Sequence, residues 1–440
     1  MSRALPFFLF YLLLFTMLSL GDGMSITLFV KRVGADQLPN YYWITALLNF
    51  ALMLIYMALA GVWSNAKLFH WIVFGSVFSF LVAWITVMLY PNDVRAFGLF
   101  FISRELSFTL VTMHLGNFVQ DYFSRSDLNR ILPFIFSGGR LGGIIGGSLL
   151  ALLSRCFPVL NLVWVYMGLG ALAWAVLVFI QQSHVLHTEA SLSLQSNTAQ
   201  TNAAQNARPE RLTATTLPNR YLDIIRLLKS SALLQWLTVT SLFFIVCRWV
   251  LNYQYSHFFE AHFANENQLA EFMGWYTSIA LTVALVIQLT LVNRMVRYLG
   301  LSLTHAVYSL VLVLTMGMNV FPMTLNGALF SRFVETELRN GLRNPIMMLM
   351  TNTFDRVMRP QARAWLMGVI IPIATLFSSL LLQGGYPVGW LGLTMGVGYV
   401  FAGVGIYFWL PESPSPVWEW VTQKMPLLKK LKAETLRNRS

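Results

Sequence analysis

LFSRFVETELRNGLRNP, residues 329–345, places five charged side chains in a stretch that otherwise has the length and polarity of a membrane-spanning helix. At 100° per residue, Arg332, Arg339 and Arg343 fall within about 40° of one another on a helix. Glu335 lies about 60° from Arg332, whereas Glu337 points to another side. An ionised side chain is expensive in a bilayer unless it meets a partner or water. The stretch therefore predicts an Arg–Glu–Arg–Arg face that lines a polar cavity inside a membrane protein.

The composition supports a membrane protein. Hydrophobic residues make up 56% of the 440 residues and charged residues only 11%, with a mean hydropathy of +0.61. A soluble domain carries about 25% charged residues. The apolar stretches predict an all-α polytopic protein with twelve transmembrane helices in two six-helix bundles. Cys156 and Cys247 both lie in apolar stretches, so neither a disulfide framework nor a metal site is predicted.

The predicted division of the chain has four parts. An N-terminal bundle spans 1–180, a cytoplasmic linker that is partly disordered spans 181–230, a C-terminal bundle spans 231–411, and a basic cytoplasmic tail spans 412–440. The linker is rich in Ser, Thr, Asn, Gln and Ala. Charged residues recur at similar depth in the two bundles, as with Arg104 and Arg332. Two similar bundles are typical of a transporter whose site lies between them.

The basic residues predict the orientation in the membrane. When the loops are assigned alternately to the two sides, only Lys31, Arg32, Arg95 and Arg155 fall outside, so both termini are expected in the cytoplasm. The net charge of +12 then faces the cytoplasm and the anionic inner leaflet, and nucleic acid is not needed to explain it. We expect a multi-pass protein of the cell inner (plasma) membrane.

Ten ionisable residues lie within the predicted spans, and six of them are arginines. A surplus of guanidinium groups favours an anionic solute, because the guanidinium fork matches phosphate and carboxylate. The expected solute-binding residues are Arg104, Arg248, Arg332, Arg339 and Arg343. The expected coupling or charge-pairing residues are Asp22, Glu105, Glu335 and Glu337. The tenth residue is Arg140.

Alternatives stay open for the Arg–Glu pairs and for Asp22. The Arg–Glu pairs could lock helices together, or they could gate a path between the bundles. Asp22, flanked by Gly21 and Gly23, could carry a proton or could pair with Arg248.

The fifth predicted helix contains SGGRLGGIIGG, residues 137–147. Glycines repeat in it at every fourth position in two rows, which are Gly138, Gly142, Gly146 and Gly139, Gly143, Gly147. Such rows predict a groove in which a second helix packs closely. A nucleotide-binding loop is rejected, because neither a preceding strand nor a following Lys-Ser/Thr is present.

The helix number, the repeat and the long central loop resemble the major facilitator superfamily. LNRILPFIFSGGRLGGIIGGSLL, residues 128–150, and ETELRNGLRNPIMMLMTNTFDRVMRPQARAWLMGVIIP, residues 335–372, are similar to regions of bacterial and plastid ATP/ADP translocase-like carriers. The resemblance implies antiport of nucleotides or related phosphorylated solutes, with functional charges on helices 1, 4, 7 and 10. Glu105 matches the helix-4 carboxylate of those carriers. Asp22 and Arg248 carry the opposite charge from their residues on helices 1 and 7.

The sequence thus favours a secondary transporter that moves a small organic anion, such as a nucleotide or another phosphorylated metabolite, by alternating access. One alternative is a proton-coupled carrier for drug or metabolite efflux, and another is a non-transporting membrane scaffold or biogenesis factor. No catalytic motif is recognised, so we expect no enzyme activity, no cofactor and no bound metal. We expect a monomer in the lipid bilayer.

Overall fold

The computed structural model describes residues 4–60, 62–123, 125–196, 231–354 and 358–410. In these ranges the chain forms twelve long helical segments, and we number them α1 to α12. The first six are α1 Leu5–Leu28, α2 Leu38–Ala60, α3 Asn65–Leu89, α4 Val94–Gln120, α5 Arg125–Leu153 and α6 Val163–Ser196. The next three are α7 Ala232–His262, α8 Glu266–Ile287 and α9 Asn293–Met318. The last is α12 Val388–Trp409.

Two segments combine α-helix with π-helix. α10 runs through Leu325–Phe333, a π-helical Val334–Arg343 and Asn344–Thr351. α11 runs through Met358–Ala364, a π-helical Trp365–Ile370 and Ile371–Gln383. Shorter π-helical ends follow α1, at Phe29–Val33, and α8, at Gln288–Val292.

The predicted class, an all-α polytopic membrane protein, is confirmed. Within the described ranges, eleven helices are long and apolar enough to cross a membrane. The segment that does not qualify is α10, which carries the five charged residues of the opening stretch. Large apolar side chains such as Phe401 and Leu380 are exposed on the outside of the protein, where lipid would cover them.

Helix packing brings α1, α4, α7 and α10 towards the centre. In the first half of the chain, α1 packs on α4, α5 and α6, and α3 packs on α4 and α6. In the second half, α7 packs on α10, α11 and α12. Contacts between α2 and α11, α5 and α8, and α1 and α8 join the two halves.

The glycine rows of α5 explain how it fits between two neighbours. A Cβ at Gly138, Gly142 or Gly146 would clash with backbone carbonyl oxygens of α1, so this row lets α1 approach closely. Gly147 lies against the backbone of α8, and Gly143 meets a leucine of α8. Gly139 faces Phe15 of α1. The first row therefore serves α1, whereas the second row meets α1 at Gly139 and α8, from the other half of the chain, at Gly143 and Gly147.

α6 continues past residue 180, where the predicted N-terminal bundle ends. This helix continues to Ser196, so the first part of the predicted linker is helical. Residues 181–196 contain no proline or glycine and several good helix formers, which lets the helix extend past the apolar span. The rest of the predicted linker and the predicted tail lie outside the described residues, and the four-part division remains a prediction.

Candidate functional site

Charged side chains from both halves meet near the middle of the helices, and Asp22 of α1 is one centre of this cluster. Arg104 of α4 donates from Nε to Asp22 Oδ1 at 2.6 Å. Arg332 of α10 donates from Nη2 to Asp22 Oδ2 at 3.4 Å. Asp22 therefore holds one guanidinium from each half of the chain, with one carboxylate oxygen for each.

Glu335 of α10 is the second centre. Its Oε1 accepts hydrogen bonds from Arg248 Nε of α7 at 2.8 Å and from Arg339 Nη1 of α10 at 3.1 Å. Its Oε2 accepts from the Tyr255 hydroxyl at 3.2 Å. All of these partners lie in the second half of the chain, so this centre is built within one half.

Glu105 adds a third carboxylate to the cluster. Its Oε1 lies 3.2 Å from Nη1 of the adjacent Arg104. The atoms do not have the alignment of a hydrogen bond, and that Nη1 has no hydrogen-bond partner. The cluster thus brings four arginines together with Asp22, Glu105 and Glu335, which leaves a surplus of one positive charge.

The cluster is unevenly accessible to water. The side chain of Asp22 is 30% exposed, and those of Arg104 and Arg248 are 16% and 17% exposed. The side chain of Glu335 is only 2% exposed. Asp22, Arg104 and Arg248 are therefore the more exposed members of the cluster, whereas Arg332 and Glu335 are buried.

Two predicted residues lie outside this cluster. Glu337 pairs with Arg140 of α5 at 3.5 Å, which is a second ionic contact between the halves. Arg343 is buried within the second half, where its Nε donates to the Tyr399 hydroxyl at 3.2 Å and its guanidinium lies 3.5 Å from the Phe244 ring centre.

Arg343 therefore does not join Arg332 and Arg339 in the cluster, although the sequence predicts all three on one face. The predicted angles assume 100° per residue, whereas Val334–Arg343 is π-helical with an i→i+5 repeat, so those angles do not apply to this segment. The open alternative in which Asp22 pairs with Arg248 is likewise not what the structure has, since Arg248 pairs with Glu335. The roles assigned to these residues in binding or coupling stay predictions.

Aromatic rings surround the arginines of the cluster. The Arg248 guanidinium lies 4.3 Å from the Trp249 ring centre. The Arg332 guanidinium lies 5.6 Å and 5.8 Å from the ring centres of Tyr255 and Tyr276. Rings at these distances stabilise a cation by cation–π attraction, and they hold a planar guanidinium while its N–H groups remain free for an anion.

A buried hydrogen-bond chain connects the cluster to α2. The Tyr42 hydroxyl donates to Asn252 Oδ1 at 2.6 Å, and Asn252 Nδ2 donates to the Tyr255 hydroxyl at 2.5 Å. Tyr255 in turn donates to Glu335. Tyr42 could not be identified from the sequence, because a tyrosine in an apolar helix gives no indication of a hydrogen-bond partner on another helix.

The end of the helices that is predicted to face outside is closed by contacts between the halves. Lys31 donates to the carbonyl oxygens of Glu260 and Phe263 at 2.8 and 2.7 Å. Arg32 binds Glu266 through two hydrogen bonds. Further cross-half contacts at this end are Arg155 with Glu271, Ser379 with the Pro39 carbonyl and Gln383 with Asn40.

At the opposite end, polar contacts hold each half together separately. Asn65 donates to Asp121 within the first half, and Arg363 donates to Asn352 within the second half. A cavity of about 590 Å³ lies at the closed end, beside Lys31, Arg32 and Arg155, and not at the central cluster. Within the described ranges, no group of three or more His, Cys, Asp or Glu could hold a metal ion.

This arrangement of helices is similar in fold to several membrane transporters of known structure. The nucleoside transporter NupG is 15% identical, with a TM-score of 0.56, covering 92% of this chain and 99% of that one. The E. coli xylose transporter XylE, in an inward-open conformation, is 12% identical with a TM-score of 0.57, covering 94% and 96%.

A bacterial homologue of the iron transporter ferroportin, in an inward-facing state, is 14% identical with a TM-score of 0.60, covering 93% and 98%. No protein-family model and no curated protein matches the sequence. These similarities concern the fold alone, and they carry no information on the ATP/ADP translocase-like resemblance.

Proposed function

We propose that this protein is a secondary transporter that moves a small organic anion across the inner membrane by alternating access. The observation that carries the proposal is the central cluster, in which four arginines share Asp22, Glu105 and Glu335, and in which the side chain of Asp22 is 30% exposed. An anion that reached the cluster would meet Arg104, Arg248, Arg332 and Arg339 and would neutralise the surplus positive charge.

Electrostatics favour an anion over a cation or a neutral solute. Burying an arginine is tolerated when a carboxylate pairs with it, and here two carboxylates are each divided between two guanidiniums. Each guanidinium thus keeps N–H donors that its carboxylate does not use. Charge-assisted hydrogen bonds from such donors are strong, and paired donors match the oxygens of phosphate or carboxylate.

The finer part of the proposal is that the solute is a nucleotide or another phosphorylated metabolite, carried by exchange. Its support is the resemblance of residues 128–150 and 335–372 to nucleotide-exchanging carriers, together with the excess of arginine. We also propose a monomer with both termini in the cytoplasm. With this orientation, the closed end would face outside.

The proposal is tested by uptake into proteoliposomes. Labelled nucleotides, sugar phosphates and dicarboxylates are offered to vesicles that contain the wild type, Arg339→Ala or Arg297→Ala. Arg297 is an exposed arginine of α9, so its substitution removes the same charge away from the cluster. We expect saturable uptake of at least one anion by the wild type and Arg297→Ala, and its loss in Arg339→Ala.

Other outcomes would favour the alternatives. Uptake that is unchanged by Arg339→Ala would refute the binding role of the cluster. Flux of cationic or neutral drugs driven by a proton gradient would favour an efflux carrier, in which the Arg–Glu pairs act as gates. Absence of saturable flux for every solute would favour a scaffold that kept the fold.

A further inference from the structure

The backbone at Asp22 is fixed by close packing, while the side chain of Asp22 lies where it can exchange its ionic partners. Gly21 lies against Tyr166 and Phe80, and Gly23 lies against Leu150, so neither glycine has room for a side chain. α1 is therefore fixed closely against its own half at this level. The side chain of Asp22 reaches the other way, towards Arg104 and Arg332.

The two contacts of Asp22 differ in length. The contact with Arg104, in the same half, is 2.6 Å, whereas the contact with Arg332, in the other half, is 3.4 Å. A charge-assisted N–H···O bond is typically about 2.7–2.9 Å long, so the cross-half contact is the weaker one. An added anion would thus compete more easily for Arg332 than for Arg104.

The surroundings of Asp22 allow such competition. Its side chain is 30% exposed, against 11% for Glu105 and 2% for Glu335, so it is the most accessible carboxylate of the cluster. A carboxylate between two guanidiniums also resembles the group that a carboxylate or phosphate solute would present. Beside it, Arg104 Nη1 is buried without a hydrogen-bond partner, which provides a donor for a further oxygen.

From this geometry we infer that Asp22 is an internal competitor of the transported anion. With no solute bound, Asp22 joins the halves through Arg332. When the anion arrives, it takes over Arg332 while Asp22 keeps Arg104, and the solute becomes the link between the halves. The inference rests on the proposed function, and it names Asp22 as the residue that sets affinity and couples binding to movement.

Equilibrium binding of inorganic phosphate tests the inference on purified full-length protein in detergent. Asp22→Asn removes the competing charge, so we expect phosphate to bind to this variant at least about fivefold more tightly than to the wild type, because a unit negative charge a few ångströms from the bound anion no longer repels it. Asp36→Asn is the matched control, because Asp36 carries the same charge but is 82% exposed at the outer end. Asp22→Glu keeps the charge and is expected to bind no more tightly than the wild type.

Transport separates competition from a merely structural role. In proteoliposomes, Asp22→Asn is expected to lower the KM, because no acid competes with the solute. It is also expected to lower the maximal rate, because the empty carrier loses the Asp22–Arg332 contact that joins the two halves. A structural role would lower the rate without tightening binding. If Asp22→Asn does not purify as a monodisperse protein, Asp22→Ser carries the same expectations.

The outcomes distinguish this inference from the proposed function. Tighter phosphate binding by the neutral variant, but not by Asp36→Asn, would support the inference. If Asp22→Asn binds phosphate no more tightly than the wild type, and Arg332→Ala loses phosphate binding, the inference is overturned but the anion site is retained. Binding by neither the wild type nor Asp22→Asn would overturn both, because removing the acid should expose any anion site that it masks.

Discussion

Asp22 and Glu335 have the same local chemistry in different surroundings. Each is a carboxylate divided between two arginines near the middle of the molecule. Glu335 is 2% exposed and bonds only to groups of the second half, with a tyrosine occupying its remaining oxygen. Asp22 is 30% exposed and joins a guanidinium of each half.

The difference indicates which carboxylate can move. A carboxylate that is 2% exposed and accepts from three donors cannot leave without breaking all three bonds, so Glu335 acts as a fixed support for Arg248 and Arg339. A partly wet carboxylate loses less when it exchanges one partner for water or for an anion. The same residue types therefore serve as scaffold at Glu335 and as an exchangeable contact at Asp22.

The largest expected effect is on stability, from Glu335→Gln. This change leaves Arg248 and Arg339 without their shared carboxylate at a position that is only 2% exposed, and we expect it to destabilise the protein by about 3 kcal/mol. Asp22→Asn should destabilise it by less, because the carboxylate is already 30% exposed and Arg332 keeps its contacts with the rings of Tyr255 and Tyr276. Thermal unfolding in detergent measures both, with Asp36→Asn as the control. Similar losses in the two central variants would show that the two sites are equivalent after all.

A smaller effect is expected from Lys31→Met. This change should make buried contacts between the two halves more accessible to a thiol reagent. Lys31 donates hydrogen bonds to two carbonyl oxygens of the other half, so its replacement should let the closed end open more often. In a background without Cys156 and Cys247, a cysteine replacing Tyr42 should then react several times faster with a membrane-impermeant thiol reagent. Tyr42 is buried in a cross-half contact.

The control for this experiment is a cysteine that replaces Tyr308. Tyr308 is equally buried, but its contact with the Val334 carbonyl lies within the second half. It should stay protected when Lys31 is changed. Equal acceleration at both positions would mean that Lys31→Met loosens the whole fold instead of opening one end.

The smallest expected effect comes from labelling Cys156 with a thiol reagent. This label reports the orientation of the protein in the membrane and is not expected to change transport or stability. Cys156 is exposed beside the closed end, whereas Cys247 is buried. An impermeant thiol reagent added outside intact cells should label the wild type and not Cys156→Ser. Labelling only after the membrane is opened would reverse the orientation, and with it the side to which the central cluster opens.

Much of the fold could be predicted from the sequence, because helix length and hydropathy are local properties. The charges of α10 were informative for the same reason, since five ionisable groups in one span require an interior position. The sequence also placed Glu337 away from the face that carries Arg332, and in the structure Glu337 pairs with α5.

Partners on other helices were harder to predict. The partners of Asp22 are set by how α1, α4 and α10 meet, and no local pattern contains that information. Arg343 likewise contacts Tyr399 and Phe244 on other helices instead of the cluster, and the π-helix in α10 was not apparent from the sequence. The exposure that distinguishes Asp22 from Glu335 likewise depends on the assembled helices.

The most direct test of the central cluster is the initial rate of anion uptake, measured over a range of concentrations in proteoliposomes of the wild type, Arg339→Ala and Arg297→Ala. An anion site made by these arginines predicts a saturable rate in the wild type and in Arg297→Ala, and only background leakage in Arg339→Ala. A saturable rate that Arg339→Ala leaves intact, or no saturable rate for any anion, would contradict it.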